Sequence, residues 1–170
     1  MNKLFYKLIT RYDFSEVGNI RHSFGNITIE PPSNTSVWEH TSVRHDSGAG
    51  TCYGPYTKEI DEKGDYKAVF RIKACGIKNR NVVILTIDIA HGKANGPMGD
   101  LLKQKRIRGE EFKDGDYNNF ILNFKYTDQS FLEFRCIVHN PENYKIMSIG
   151  CYLIMLKFIK GGLSQVGLKQ

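Results

Sequence analysis

Tyr66-Lys67-Ala68-Val69-Phe70-Arg71-Ile72 decides the fold class. Tyr66, Ala68, Phe70 and Ile72 fall on one side of a period-two pattern; Lys67, Val69, Arg71 and Lys73 fall on the other. A repeat of two with one apolar side is the mark of a strand lying on a core. The turn Glu62-Lys63-Gly64-Asp65 leads into it, preceded by Cys52-Tyr53-Gly54-Pro55-Tyr56. Gly-Pro there suits a strand start or edge, where no ladder donor is required.

Working outward, similar segments recur near residues 26–30, 37–44, 51–57, 65–74, 81–90, 101–108, 118–126, 130–139 and 146–158. Ser47-Gly48-Ala49-Gly50, Gly76-Ile77-Lys78-Asn79, Asp114-Gly115-Asp116 and Thr127-Asp128-Gln129 punctuate them. Short strands at this spacing predict an all-β fold, an antiparallel β-sandwich, and not βαβ units. One segment reads differently. Leu4, Phe5, Leu8, Ile9 and Tyr12 recur at helical spacing, which predicts a short N-terminal amphipathic helix that caps the sandwich or docks a neighbour. The expected organisation is an extension over residues 1–16, a sandwich over 17–160 and a flexible tail over 161–170.

The order Tyr53-Gly54-Pro55-Tyr56, acidic-Gly-Asp turn, alternating strand resembles the jelly-roll, carbohydrate-binding-module-like domains attached to bacterial glycosyltransferases and other glycan-processing proteins. Arg108-Gly109-Glu110-Glu111-Phe112, Tyr117, Phe120-Ile121-Leu122-Asn123-Phe124 and Leu132-Glu133-Phe134-Arg135 fit the same pattern. The resemblance covers roughly residues 50 to 140. It implies a jelly roll, a glycan or polysaccharide ligand and a glycosyltransferase as partner.

The 170 residues suffice for one domain that buries an ordinary core without staples. A net charge of +6 would favour acidic glycans, anionic membranes or nucleic acid, but the basic residues are scattered along the chain, and no nucleic-acid partner is expected. Cys52, Cys75, Cys136 and Cys151 form no CxxC pair and no zinc spacing. Cys136 shares a phase with Leu132, Phe134 and Val138, as a small buried hydrophobe does. A reduced, cytoplasmic chain is the simpler expectation. Lys7 interrupts the N-terminal apolar run, so a signal peptide is not expected, and no apolar window reaches the about 18 residues of a membrane span.

The sequence has no GxSxG, P-loop, GxGxxG or HExxH. His45, Asp46 and Ser47 are adjacent, whereas triad members converge from separate segments. A cupin-like jelly roll gathers two or three histidines and a carboxylate; His40 and His45 have the wrong separation for that, and His91 and His139 each end a strand. No cofactor is expected, although Asp46, Asp114 and Asp116 leave room for a structural calcium ion held by loop oxygens.

Sugars offer CH-rich faces to aromatic rings and hydroxyls to planar polar groups. Trp38, His40, Ser42 and Arg44 share a strand phase, while Val37, Thr41 and Val43 take the other. A lone tryptophan is either a core residue or a sugar platform; its polar phase-mates speak for exposure. Trp38, His40 and Arg44 are therefore the first candidates for ligand binding. Lys67, Arg71 and Lys73 line one polar strand face, Thr86 and Asp88 the next, and Glu133, Arg135 and His139 a later one. Of these, Arg71, Asp88 and Arg135 join the candidate site, arginine for its bidentate grip on carboxylates and phosphates. The function expected is a non-catalytic glycan-binding or accessory domain. The alternatives are a metal-dependent, cupin-like enzyme acting on nucleotide sugars and a structural protein-interaction module.

Overall fold

The computed structural model describes residues 3–12, 21–22, 26–41, 49–57, 60, 63–92, 100–127, 131–139 and 145–159. Among them are eleven strands: β1 (Lys3–Tyr12), β2 (Arg21–His22), β3 (Asn26–Glu30), β4 (Thr35–Thr41), β5 (Ala49–Thr57), β6 (Gly64–Cys75), β7 (Val83–Gly92), β8 (Leu101–Arg108), β9 (Tyr117–Tyr126), β10 (Phe131–His139) and β11 (Lys145–Ile159). A single 3-10 turn, Gly109–Glu111, follows β8.

Two antiparallel sheets result. Sheet A runs β3-β4-β11-β6-β9, with β1 also paired to β11; sheet B runs β2-β5-β10-β7-β8. From β4 onward the chain crosses between sheets at nearly every connection, so few sequence neighbours are ladder neighbours. The alternation read from the sequence positions the core. In β6, Tyr66, Ala68, Phe70, Ile72 and Ala74 are buried, and the intervening residues are not. Opposite them in the ladder, Phe120, Leu122 and Phe124 of β9 point the same way. From sheet B come Leu85, Ile87 and Ile89 of β7, then Phe134, Cys136 and Val138 of β10, all in the same apolar cluster. Phe70 and Phe134 meet across the sandwich with ring centroids 6.5 Å apart. Cys136 is fully buried, as its phase predicts.

The N-terminal helix is corrected: residues 3–12 form strand β1. Leu4, Tyr6 and Leu8 pair with Phe158, Leu156 and Ile154 of β11. An isolated helix of about ten residues is marginal in water, whereas β11 carries the most apolar run of the chain and offers a ladder. Pairing with it overrides local propensity. The extension expected over 1–16 thus contributes an integral strand, and the interaction-module alternative loses the docking helix it invoked. The tail expected over 161–170 lies outside the described residues.

Glu30 departs from the ladder order. In sheet A, β4 and β11 stand between β3 and β6, and β6 stands before β9. Yet the Glu30 carboxylate takes bonds from Lys73 Nζ on β6 and Tyr117 OH on β9, each at 2.6 Å. Lys73 belongs to the non-core phase of β6, so the end of the β3–β4 hairpin folds over the outer face of sheet A. Val37 of β4 is fully buried but stands outside the central apolar cluster.

Candidate functional site

The core phase of β7 and β10 leaves Thr86 and Asp88, with Glu133, Arg135 and His139, on the other face of sheet B. An antiparallel sheet ordinarily presents this second face to water. Here its middle is dry: Thr86 is 5% exposed, Asp88 3%, Glu133 3% and Arg135 6%. Charged side chains are almost never this buried unless paired.

Arg135 and Asp88 are direct ladder partners. Arg135 donates from Nε to Asp88 Oδ1 at 2.5 Å and from Nη2 to Asp88 Oδ2 at 2.9 Å, the fork geometry that suits guanidinium and carboxylate. Burial pushes the Asp88 carboxyl up, and the guanidinium opposes that shift. Glu133 lies one face-step along β10, opposite the small Ala90. Burial pushes its carboxyl up too; Arg135 opposes the shift and the Asp88 charge adds to it. One row over, Thr86 Oγ1 and His139 Nε2 are 2.7 Å apart. Burial and then the positive charge of Arg106 push the imidazole down, so it is neutral at neutral pH.

The ladders extend these rows. Asp88 faces Gln104 and Thr86 faces Arg106 on edge strand β8. On the other side Arg135 faces Tyr53 of β5, which in turn faces Arg21 of β2. The face thus grades from a buried, internally neutralised charge cluster to the exposed Gln104 and Arg106 at one edge. It carries hydrogen-bonding groups of both polarities held by strands, which suits the fixing of hydroxyl-rich ligands. Among the described residues no group of three or more His, Cys, Asp or Glu side chains could hold a metal ion, so the metal-enzyme alternative finds no ligand set there. Asp116 of the expected calcium oxygens is paired with Lys113; Asp46 lies outside the described residues.

The candidate residues separate into three places. Asp88 and Arg135, expected on outward polar faces, are paired with each other and buried. Trp38 is corrected: it is fully buried, not exposed. Its phase relation to His40 holds, for their rings stack at 6.2 Å and 22°. The shared face is the core side, because Trp38 pairs with Ser148 of β11, which pairs with Ile72 of β6. His40 is half-buried; its Nδ1 is buried with no hydrogen-bond partner, and burial pushes its imidazole down. Arg71 lies on the outer face of sheet A, its guanidinium 4.8 Å from the Tyr117 ring centre. Arg44 lies outside the described residues. Gln104 and Arg106 were missed: a lysine- and arginine-rich strand reads as an ordinary solvated edge. Glu133 and Thr86 did carry a signal, since each is a polar residue inside an apolar strand.

No family model matches the sequence, and no curated protein sequence matches it. Solved structures match its fold. The CBM22-1 and GH10 modules of Clostridium thermocellum endo-1,4-β-D-xylanase 10B, complexed with xylohexaose, superpose with a TM-score of 0.59 at 9% identity, over 94% of this chain and 30% of that one. The carbohydrate-binding module CBM6cm-2 of Cellvibrio mixtus lichenase 5A, in complex with cellotriose, gives 0.51 at 9% identity, over 86% and 97% of the two chains. A carbohydrate-binding module of the β-sandwich superfamily gives 0.52 at 14% identity, over 86% and 59%. The chain has the fold of β-sandwich carbohydrate-binding modules. It spans less than a third of the xylanase chain.

Proposed function

We propose that this chain is a non-catalytic glycan-binding module whose ligand lies along the outer face of sheet B. One observation carries the reading: Asp88, Arg135, Glu133 and Thr86 form a buried polar centre on the sheet face that would otherwise be solvated. Maintaining charges there costs desolvation, which a purely structural face avoids by using apolar side chains. The fold supports the reading, since xylohexaose and cellotriose occupy the solved structures of two proteins that share it. A role beside a glycan-processing enzyme, a glycosyltransferase among them, is part of the proposal; the xylanase supports it by joining a module of this fold to a GH10 module in one chain.

Binding is expected to be weak, because sugar hydroxyls exchange one set of hydrogen bonds with water for another. The test is a glycan array followed by calorimetric titration of each hit, with Gln104→Ala, a change at the exposed end of the Asp88 row, beside the wild type. Array hits that Gln104→Ala weakens, with its melting transition intact, support the reading. An array of neutral and acidic glycans without a hit rejects it.

A further inference from the structure

Edge strand β8 carries Lys103, Lys105, Arg106 and Arg108 and no acidic residue. Two of the four are engaged: Lys105 Nζ lies 2.6 Å from Glu111 Oε2, and Arg108 donates from its side chain to the Asn81 carbonyl. Arg106 and Lys103 are exposed, with no ion-pair partner among the described residues. They differ in direction. Lys103 pairs with Ile89 and so belongs to the core-side phase; Arg106 pairs with Thr86 and shares the face of the polar centre. Its charge is felt by the imidazole of His139 on β10, two strands away.

Among the described residues, the carboxylates that β7 and β10 place on this face are already answered or disfavoured. Asp88 is held by both arms of Arg135, and burial disfavours the charged form of Glu133. Arg106 is thus an uncommitted guanidinium at the exposed end of a row of sugar-compatible groups. Cations on an edge strand also deter edge pairing, but such a guard works whichever way its side chain points. It does not require Arg106 to share a face with Thr86 and Asp88.

Resting on the proposed glycan site, we infer that the ligand is an anionic glycan and that Arg106 grips its carboxylate or sulfate oxygens. A planar guanidinium with both arms open is suited to such two-oxygen recognition, and the chain's net charge of +6 favours anions at long range.

The experiment titrates trigalacturonate and neutral cellotriose into the wild type, Arg106→Gln and Lys103→Gln, with a sulfated trisaccharide as a third probe. Trigalacturonate is expected to bind about tenfold tighter than cellotriose at low salt, the worth of one charge-assisted contact. Arg106→Gln collapses that ratio; Lys103→Gln, which removes the same net charge elsewhere, preserves it. A sulfated probe as tight as trigalacturonate also supports the inference and extends the anion to sulfate. Equal wild-type affinities for the acidic and neutral trisaccharides overturn it while leaving glycan binding in place, as does an equal loss of ratio in both variants. No binding of either acidic probe overturns this inference; an array without a hit overturns the glycan reading with it.

Discussion

Arg135 and Asp88 face each other across the β10–β7 ladder in the centre of sheet B, joined by two side-chain bonds on a face that is almost dry. Two ions taken out of water stabilise a fold only if their mutual geometry repays desolvation. Asp88→Ala removes two charge-assisted bonds from a buried guanidinium and is expected to cost about 3–5 kcal/mol. The double substitution Asp88→Leu with Arg135→Met is expected to restore most of that loss while glycan binding stays absent. Urea denaturation of the three proteins, with titration of a bound glycan, separates the two roles. A double variant that still binds would show that the pair only holds the sheet.

Trp38→Ala is expected to cost about 3–5 kcal/mol, as truncation of a fully buried aromatic side chain does. Its effect on ligand affinity should vanish once measured well below the lowered melting temperature, because the indole lies in the core and not on sheet B's outer face. An unchanged melting temperature together with lost binding would return Trp38 to the site.

Trp38 also marks how far the sequence is readable. The alternation of β6 and β9 states its own core residues, because each pattern is a local property of one strand facing one core. Trp38 and His40 are likewise correctly paired in phase, but which side their phase faces is set by the ladder through Ser148 to Ile72, and no local pattern encodes that register. The same limit hid β1: Leu4, Leu8 and their neighbours fit a helical period, and only the distant apolar β11 makes them a strand. Asp88 and Arg135 were visible because a charge inside an apolar strand is unusual. Their pairing, 47 residues apart, was not. Arg106 carried no signal at all, since its meaning comes from lying opposite Thr86.

The Glu133 carboxyl gives a pH dependence with a definite sign. Its pKa in the fold is raised above 4.5, chiefly by burial. The unfolded chain therefore releases this proton first, and the stabilising contribution, complete below pH 4.5, is lost as pH rises through the folded value. Glu133→Gln is then expected to be more stable than the wild type at neutral pH, with the gap closing as pH falls toward 4.5. His40 and His139, both pushed down by burial, act oppositely: their contribution is complete above pH 6.5 and is lost as pH falls. Both proteins carry them, so the difference in melting temperature between variant and wild type, followed from pH 4 to 8, isolates Glu133. A gap that widens on acidification contradicts the assignment.

Glu30 supplies a prediction on the opposite sheet. Its carboxylate binds Lys73 Nζ and Tyr117 OH at once, and Tyr117 lies under the Arg71 guanidinium. Burial, then the Glu30 bond, pushes the Tyr117 hydroxyl up, so it stays a donor at any physiological pH. The arrangement latches the β3–β4 hairpin over sheet A. Glu30→Ala is expected to cost about 2–3 kcal/mol, the range for a hydrogen bond to a charged group with its donors left part-buried. Tyr117→Phe should cost less, because it removes one bond and leaves the Lys73 ion pair. Neither change touches sheet B, so glycan affinity measured below the melting transition should be unaltered. Urea denaturation and titration of the same three proteins decide the matter. Full stability in Glu30→Ala would mean that the β3–β4 ladder and packing hold the hairpin in place without these bonds.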